Sequence, residues 1–263
     1  MLKYLLKKAY TLITVYYAHM VEYRAELIFW VLSGSFPIIL MGVWTEAAQG
    51  GNFGLKPVDF ARYFLAVFIV KQLTVIWVIW DFEKEVVEGK LSFRLLQPID
   101  PAWYHVSAHI SERFARLPFA IFLVILFFVL YPQATWIPSL GNSLLFILAA
   151  ILAFALRFVI QYTFAMFAFW TERASAIQNL WTLFYLFLSG YIAPLEVFPE
   201  PIKQIVLLTP FPYVVNFPAS LLVGIPTNIG RGFLSMIGWF LFFLGLNRIL
   251  WRKGLKRYSG MGA

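Results

Sequence analysis

Cysteine is absent from the 263-residue chain. That excludes disulfides, thiolate metal sites and a cysteine nucleophile, and it leaves the redox compartment open. Charge is also scarce: 13% of the residues are Asp, Glu, Lys or Arg, against about 25% in an ordinary soluble domain. Little of the chain can therefore face water. No GxxxxGK[ST] run occurs, and Gly89-Lys90 is followed by Leu91 without the upstream glycine, so no loop cradles a phosphate. There are three histidines, and no Ser/His/Asp grouping or pair of catalytic carboxylates can be assembled. Glu196 and Glu200 are too few and too poorly placed for acid–base work. No second, soluble domain, low-complexity tract or strong internal repeat is visible. The missing repeat counts against the inverted halves of many secondary transporters.

What is present is apolar surface. Hydrophobic residues make up 61% of the chain and aromatics 19%, which is the composition of an integral membrane protein. The net charge of +8 would suggest nucleic acid in a soluble protein. Here the basic residues flank apolar segments, so they report membrane orientation, with no nucleic-acid partner.

Residues 1–24 read as an amphipathic helix lying in the membrane interface. Leu2, Leu5, Leu6, Ala9, Leu12, Ile13, Tyr16, Tyr17 and Met20 fall on one side, and Lys3, Lys7, Lys8, Thr11 and Thr14 on the other. A signal peptide would need a continuous apolar core and a small-residue cleavage site, and neither is present. A spanning helix needs about 20 mainly apolar residues. Six segments meet that: Leu27–Trp44 (textured by Gly34 and Pro37), Phe60–Trp80, Leu117–Tyr131, Ser143–Trp170, Ile177–Ile192 and Phe233–Leu250. The fold class expected is an all-α membrane protein of six transmembrane helices, forming a single transmembrane domain over residues 1–263. Fifteen Lys and Arg residues fall on one side of this topology and four on the other. The positive-inside bias then places both termini and the loop Asp81–Arg116 in the cytoplasm.

That loop is the longest polar interruption, with eleven of the chain's charged residues. Gly89 divides it into an acidic extension of the second span, Phe82–Glu88, and a short amphipathic piece, Leu91–Leu96, stopped by Pro98. Leu91, Leu95 and Leu96 are the side chains expected to seat this piece against a partner. Within the same loop His105, His109 and Glu112 share a helix face, a weak metal signal against the simpler reading of polar groups at headgroup level. Ser175 reads as a helix cap or part of an inner gate. Lys71 and Arg157 are intramembrane charges, with Gln72 beside the first and Gln161 one turn after the second. Such residues line a translocation path or lock spans together. The stretch Ser189–Gly230 is apolar yet rich in proline, which forbids one continuous helix. A pair of short re-entrant or interfacial helices fits it, one opening at Pro199 and the other over Tyr213–Leu222.

Two motifs in this order resemble the ABC-2 family of ABC transporter permeases. One is Val87-Glu-Gly-Lys-Leu-Ser-Phe-Arg-Leu-Leu-Gln-Pro-Ile-Asp-Pro101, similar to the family's Gly-x-Leu…Leu-Leu-x-Pro loop after span two. The other is Leu188-Ser-Gly-Tyr-Ile-Ala-Pro-Leu-Glu-Val-Phe-Pro199 followed by Thr209-Pro-Phe-Pro-Tyr213. The resemblance implies a type V exporter-like permease in a bacterial inner membrane, without its own ATPase site or cofactor. ATP and Mg would be bound by separate ABC ATPase subunits, and a second permease chain, the same or homologous, would complete the dimer. It implies coupling to the ATPase through Glu85, Glu88, Gly89, Lys90, Leu91, Arg94, Leu95 and Leu96. It also implies an outer gate at Ser189, Gly190, Pro194, Pro199, Pro210, Phe211 and Tyr213, and a translocation path near Lys71, Arg157 and Gln161. The sequence is most similar to a bacterial branch with one ATPase and two different permeases, whose members include exporters of drug-like cations such as viologens. Two other classes stay open: an ion-coupled secondary transporter using Lys71 and Arg157, and a non-transporting membrane assembly factor.

Overall fold

The computed structural model describes residues 2–51 and 53–258. The first residue of the expected interfacial helix, residue 52 and residues 259–263 lie outside the described residues, as do the side chains of Leu2, Leu5 and Arg24. No strand occurs among the described residues, and the chain is a succession of helices. Helix α1 is Leu2–Glu22, α2 Arg24–Ser33, α3 Phe36–Gly50, α4 Pro57–Thr74, α5 Val78–Val87 and α6 Leu91–Leu95. Helix α7 is Ala102–Leu130, α8 Leu140–Ala165, α9 Ser175–Leu188, α10 Glu200–Val206, α11 Asn216–Val223 and α12 Ile229–Leu255.

Among the described residues five helical stretches are long and apolar enough to cross a membrane: Ala25–Gly50, Pro57–Val87, Ala102–Leu130, Leu140–Phe169 and Ile229–Leu255. The expected span Ile177–Ile192 takes a different form. Its helix α9 has 14 residues, about 21 Å at 1.5 Å per residue, against a hydrocarbon core of about 30 Å. The helix stops because Gly190 turns the backbone to φ +86 and Pro194 follows. The expected third span, conversely, is longer than its apolar part. His105–Arg116 is continuous with it in α7, so the polar stretch assigned to a loop is mostly helix.

The molecule is built around α4, whose Phe60, Tyr63, Phe64 and Phe68 are all fully buried. Helices α3, α7, α8 and α11 pack on it. Helix α8 forms the second column, carrying α12, α11 and α5. Where α2 meets α3 the chain breaks at Gly34, and the reason is close approach. A Cβ there would stand 2.6 Å from Gln72 Nε2, and that amide donates to the Val31 carbonyl at 3.3 Å.

A break the hydropathy pattern hides separates α4 from α5 at Val75–Trp77. Helix ends leave carbonyls without intrahelical partners. Here the Arg113 guanidinium of α7 takes them, donating to the Leu73 carbonyl at 2.6 Å and to the Val75 carbonyl. It also bonds its own helix at His109 O and stacks on Phe154 at 4.3 Å. Arg113 thus sits between helices, where the charge count had placed it in a loop.

Helix α1 lies along the first half of α7, and Ser111 Oγ reaches the Ile13 carbonyl at 2.8 Å. Its half-buried stripe is Lys8, Leu12, Ile13, Tyr16 and Met20, while Leu6 and Tyr17 are exposed. Lys8 therefore sits on the packed side, although it had been expected on the polar one. The stripe is narrower than the apolar side read from the sequence because one neighbouring helix covers it.

Candidate functional site: a helical corner, an acidic groove and a cation–tyrosine cluster

The polar loop folds into a corner. Helix α5 ends at Val87 with Glu88 as its cap, Gly89 turns the chain at φ +70, and α6 runs back toward α7. Polar contacts hold the corner from inside. Arg94 lies 2.7 Å from Glu85 Oε1 and stacks on the Tyr104 ring at 4.7 Å. His105 Nε2 stands 3.4 Å from Glu85 Oε2. Asp100 bonds Arg248 of α12 at 3.1 Å, and Ser92 Oγ meets the Tyr258 hydroxyl at 3.2 Å. Burial alone would lower the Arg94 pKa, but the Tyr16 hydroxyl and Glu85 outweigh it and push it up. Lys90, bonded to Glu88, holds that carboxyl below the usual range.

This arrangement corrects the sequence reading of α6. Leu91, expected on the partner face, is fully buried among Ile79, Phe82 and Phe169 of its own chain's core. Leu95 and Leu96 do point out, Leu96 at 85% exposure. The largest outward apolar group is Phe93, 70% exposed, which spacing alone did not single out. Arg94 faces inward, committed to Glu85.

Ser175 does not cap α9. It is the helix's first residue, and the cap comes from another helix. Glu83 of α5 accepts from the Ser175 backbone N–H at 2.6 Å and from its hydroxyl at 3.1 Å. A carboxylate at a helix N-terminus meets free N–H groups and the positive end of the dipole.

The histidines separate. His105 turns to Glu85, whereas His109 Nδ1 faces Glu112 at 3.4 Å and Glu112 also pairs with Arg116. Among the described residues no cluster of three metal-ligand side chains forms. Beside them opens a groove of about 390 Å3 between α1, α2, α5 and α7. Glu26, Asp81 and Glu112 supply its carboxylates, the last neutralised by Arg116 of the same lining, so Glu26 and Asp81 are the carboxylates left to a ligand; Tyr23, Trp30 and Trp77 supply its rings, and His19 and His109 also line it. The Trp30 and Trp77 rings lie 5.2 Å apart.

Lys71 and Arg157 come together through two tyrosines that neither spacing nor motif singles out. Lys71 Nζ bonds the Tyr191 hydroxyl at 2.7 Å, and Arg157 bonds the Tyr185 hydroxyl at 3.1 Å. Each cation also lies over its tyrosine's ring, and the two rings are 5.8 Å apart. Gln72 points elsewhere, to Val31. Gln161 is buried near the same level of α8, its Oε1 without a hydrogen-bond partner.

The proline-rich segment is stapled into the bundle. The Tyr63 hydroxyl lies 2.8 Å from Gly190 O and 2.7 Å from Asn216 Oδ1. Asn216 N donates to Ser189 O at 2.9 Å, and Trp44 Nε1 to Ile192 O at 2.8 Å. Pro194 and Pro199 start the turn Leu195–Val197 and helix α10. Pro210 leads into Phe211, whose ring packs 4.4 Å from Trp181. The Tyr213 hydroxyl donates to Leu207 O at 2.7 Å. The two short helices expected here are present as α10 and α11.

The family model for ABC-2 family transporter proteins matches residues 53–262, most of the chain. The chain belongs to the ABC-2 transporter family. The match takes in the corner, the cation–tyrosine cluster and the proline-rich segment of this ABC-2 protein, and begins just before α4. No protein of curated function matches it significantly. Membership and the apolar helices together make it a multi-pass membrane protein, consistent with the transmembrane subunit of a transporter.

Proposed function

We propose that this ABC-2 protein is a single-domain permease subunit of an ATP-driven exporter in a bacterial inner membrane. A separate ABC ATPase drives it, and a second permease chain, identical or homologous, completes the pathway. The observation that carries this reading is the corner itself. Phe93, Leu95 and Leu96 stand exposed on a support fixed by Glu85, Arg94, His105 and Asp100. A rigid apolar knuckle of this kind suits docking of another protein, and the chain has no phosphate-binding loop of its own.

Six crossings fit the geometry if α9 and the turn after it count as one. That stretch is held at one end by Glu83 on Ser175 and at the other by Tyr63 on Gly190. Both termini then lie with the corner in the cytoplasm, as the lysine and arginine bias requires. The segment Ser189–Gly230 would be re-entrant and close the outer side. Transport would follow alternating access: ATPase closure displaces Gly89–Leu96 and reshapes a path near Lys71, Arg157 and Gln161.

The substrate class is a hydrophobic or amphiphilic molecule, in the first place a drug-like cation. The groove favours it, since carboxylates and the faces of Tyr and Trp both attract a cation. Its volume matches that of small-molecule sites, about 300–1,000 Å3. Copurification from native membranes tests the reading. It requires an ABC ATPase bound to the chain and ATP-dependent efflux from vesicles. A chain that transports with no ATPase present would overturn it.

A further inference from the structure

Nothing local forces the chain to leave the helix between α4 and α5. Val75, Ile76 and Trp77 include neither glycine nor proline, yet Val75 adopts ψ 137 and ends α4. Tertiary contacts must hold the break open, and the contact in place is Arg113. Its guanidinium serves carbonyls at the end of α4, within the break and on α7, while its plane rests on Phe154 of α8. Beyond the break α5 is one clamped body. Phe82 is fully buried among His105, Tyr162, Phe169 and Trp251. Glu83 holds the start of α9, and Glu85 holds α6 through Arg94. At the break itself, Trp77 and Asp81 form one wall of the acidic groove.

We infer that α5 is a rigid lever hinged at Val75–Trp77, with Arg113 positioning the pivot, which carries displacement of the Gly89–Leu96 corner into the groove. The inference rests on the permease reading above. Tilting α5 exchanges backbone geometry at Val75–Trp77, where the freed carbonyls face an apolar bundle and need a donor throughout. The planar guanidinium presents five N–H donors in a fork, so it can follow those carbonyls as they shift. A lysine ammonium is a single point charge and cannot span them together. The same tilt moves Trp77 and Asp81, so the groove changes shape whenever the corner moves. Arg113 is a positioning residue, since it acts through the backbone it holds.

The chain has no cysteine, which allows direct measurement. Spin labels at K84C on α5 and I151C on α8 report the lever against the second column, in the full complex with its ATPase in liposomes. On trapping ATP the label distance should change in the parent. In R113K, which keeps the charge, the change should vanish and transport per ATP should fall about tenfold, at near-parental ATPase rate and with a lower melting temperature, since carbonyls at the break lose their donor. Parental transport per ATP in R113K would overturn the pivot, even if the parent complex couples normally. A fixed label distance in a transporting parent complex would overturn the lever, whatever the stability of R113K. A parent complex that uses no ATP and moves no substrate would remove the permease reading and this inference with it.

Discussion

The Lys71 ammonium lies 2.7 Å from the Tyr191 hydroxyl, joining the last turn of α4 to the turn that follows α9. Arg157 makes the same kind of contact with Tyr185 one helix away. Two intramembrane cations are thereby each given an oxygen acceptor and a ring face, and among the described residues no ion pair to a carboxylate joins them. A hydrogen bond to a charged group contributes about 1.5–3 kcal/mol, and leaving one partner unpaired costs more than removing both. Y191F should therefore lower stability by about 2 kcal/mol. The double variant K71M/Y191F should recover much of that loss, as read by thermal melting in detergent. Additive losses in the double variant would contradict the pairing.

Gly190 is the tightest point of the proline-rich segment. At φ +86 a Cβ would be strained, and it would stand 2.5 Å from the Tyr63 hydroxyl and 2.7 Å from Asn216 Cβ. G190A should cost more than about 1 kcal/mol. G42A, at a helical glycine with nothing within 4 Å, should be neutral or stabilising by up to about 1 kcal/mol. The two melting temperatures should move apart accordingly.

Glu196 responds to pH in a direction opposite to most carboxylates. Burial raises its pKa above the ordinary value, opposed by a backbone hydrogen bond at Glu196 and then by Lys203. The folded state therefore prefers the protonated acid. Its charged form is a penalty that is absent below the unfolded carboxylate range, about 4.3, and complete once pH exceeds the raised folded value. E196Q should melt higher than the parent at neutral pH, and the gap should close as pH falls toward 4. A gap that widens on acidification would reverse the sign.

The groove gives a specificity prediction. D81N removes one carboxylate from the groove that Trp77 and Tyr23 also line, while keeping the side chain's size. In the assembled transporter it should raise KM for a cationic substrate severalfold, with little change for a neutral one of similar shape. Equal effects on both would show that Asp81 does not select for charge.

Much of the fold was legible because membrane helices announce themselves through long apolar runs, and the Gly89 and proline breaks through backbone chemistry. The rest depended on contacts between distant residues. The α4–α5 break lies in an apolar run and is held by Arg113, 36 residues or more further along the chain. The tyrosines that hold Lys71 and Arg157 look like ordinary aromatic-belt residues until packing brings them there. Leu91 and Leu96 have the same side chain and lie five residues apart. Only the docking of α6 onto Phe82 and its neighbours makes one core and the other surface. Ser175 had the right chemistry for a cap, but Glu83 on another helix does that work.

The most direct measurement places a photo-crosslinking amino acid at Phe93 in native membranes. A second copy of the probe goes at Ile137, which is 93% exposed at the opposite end of the bundle. Docking of an ATPase on the corner predicts a crosslink to an ABC ATPase from Phe93 and none from Ile137. Crosslinks from neither position, or equally from both, would contradict it.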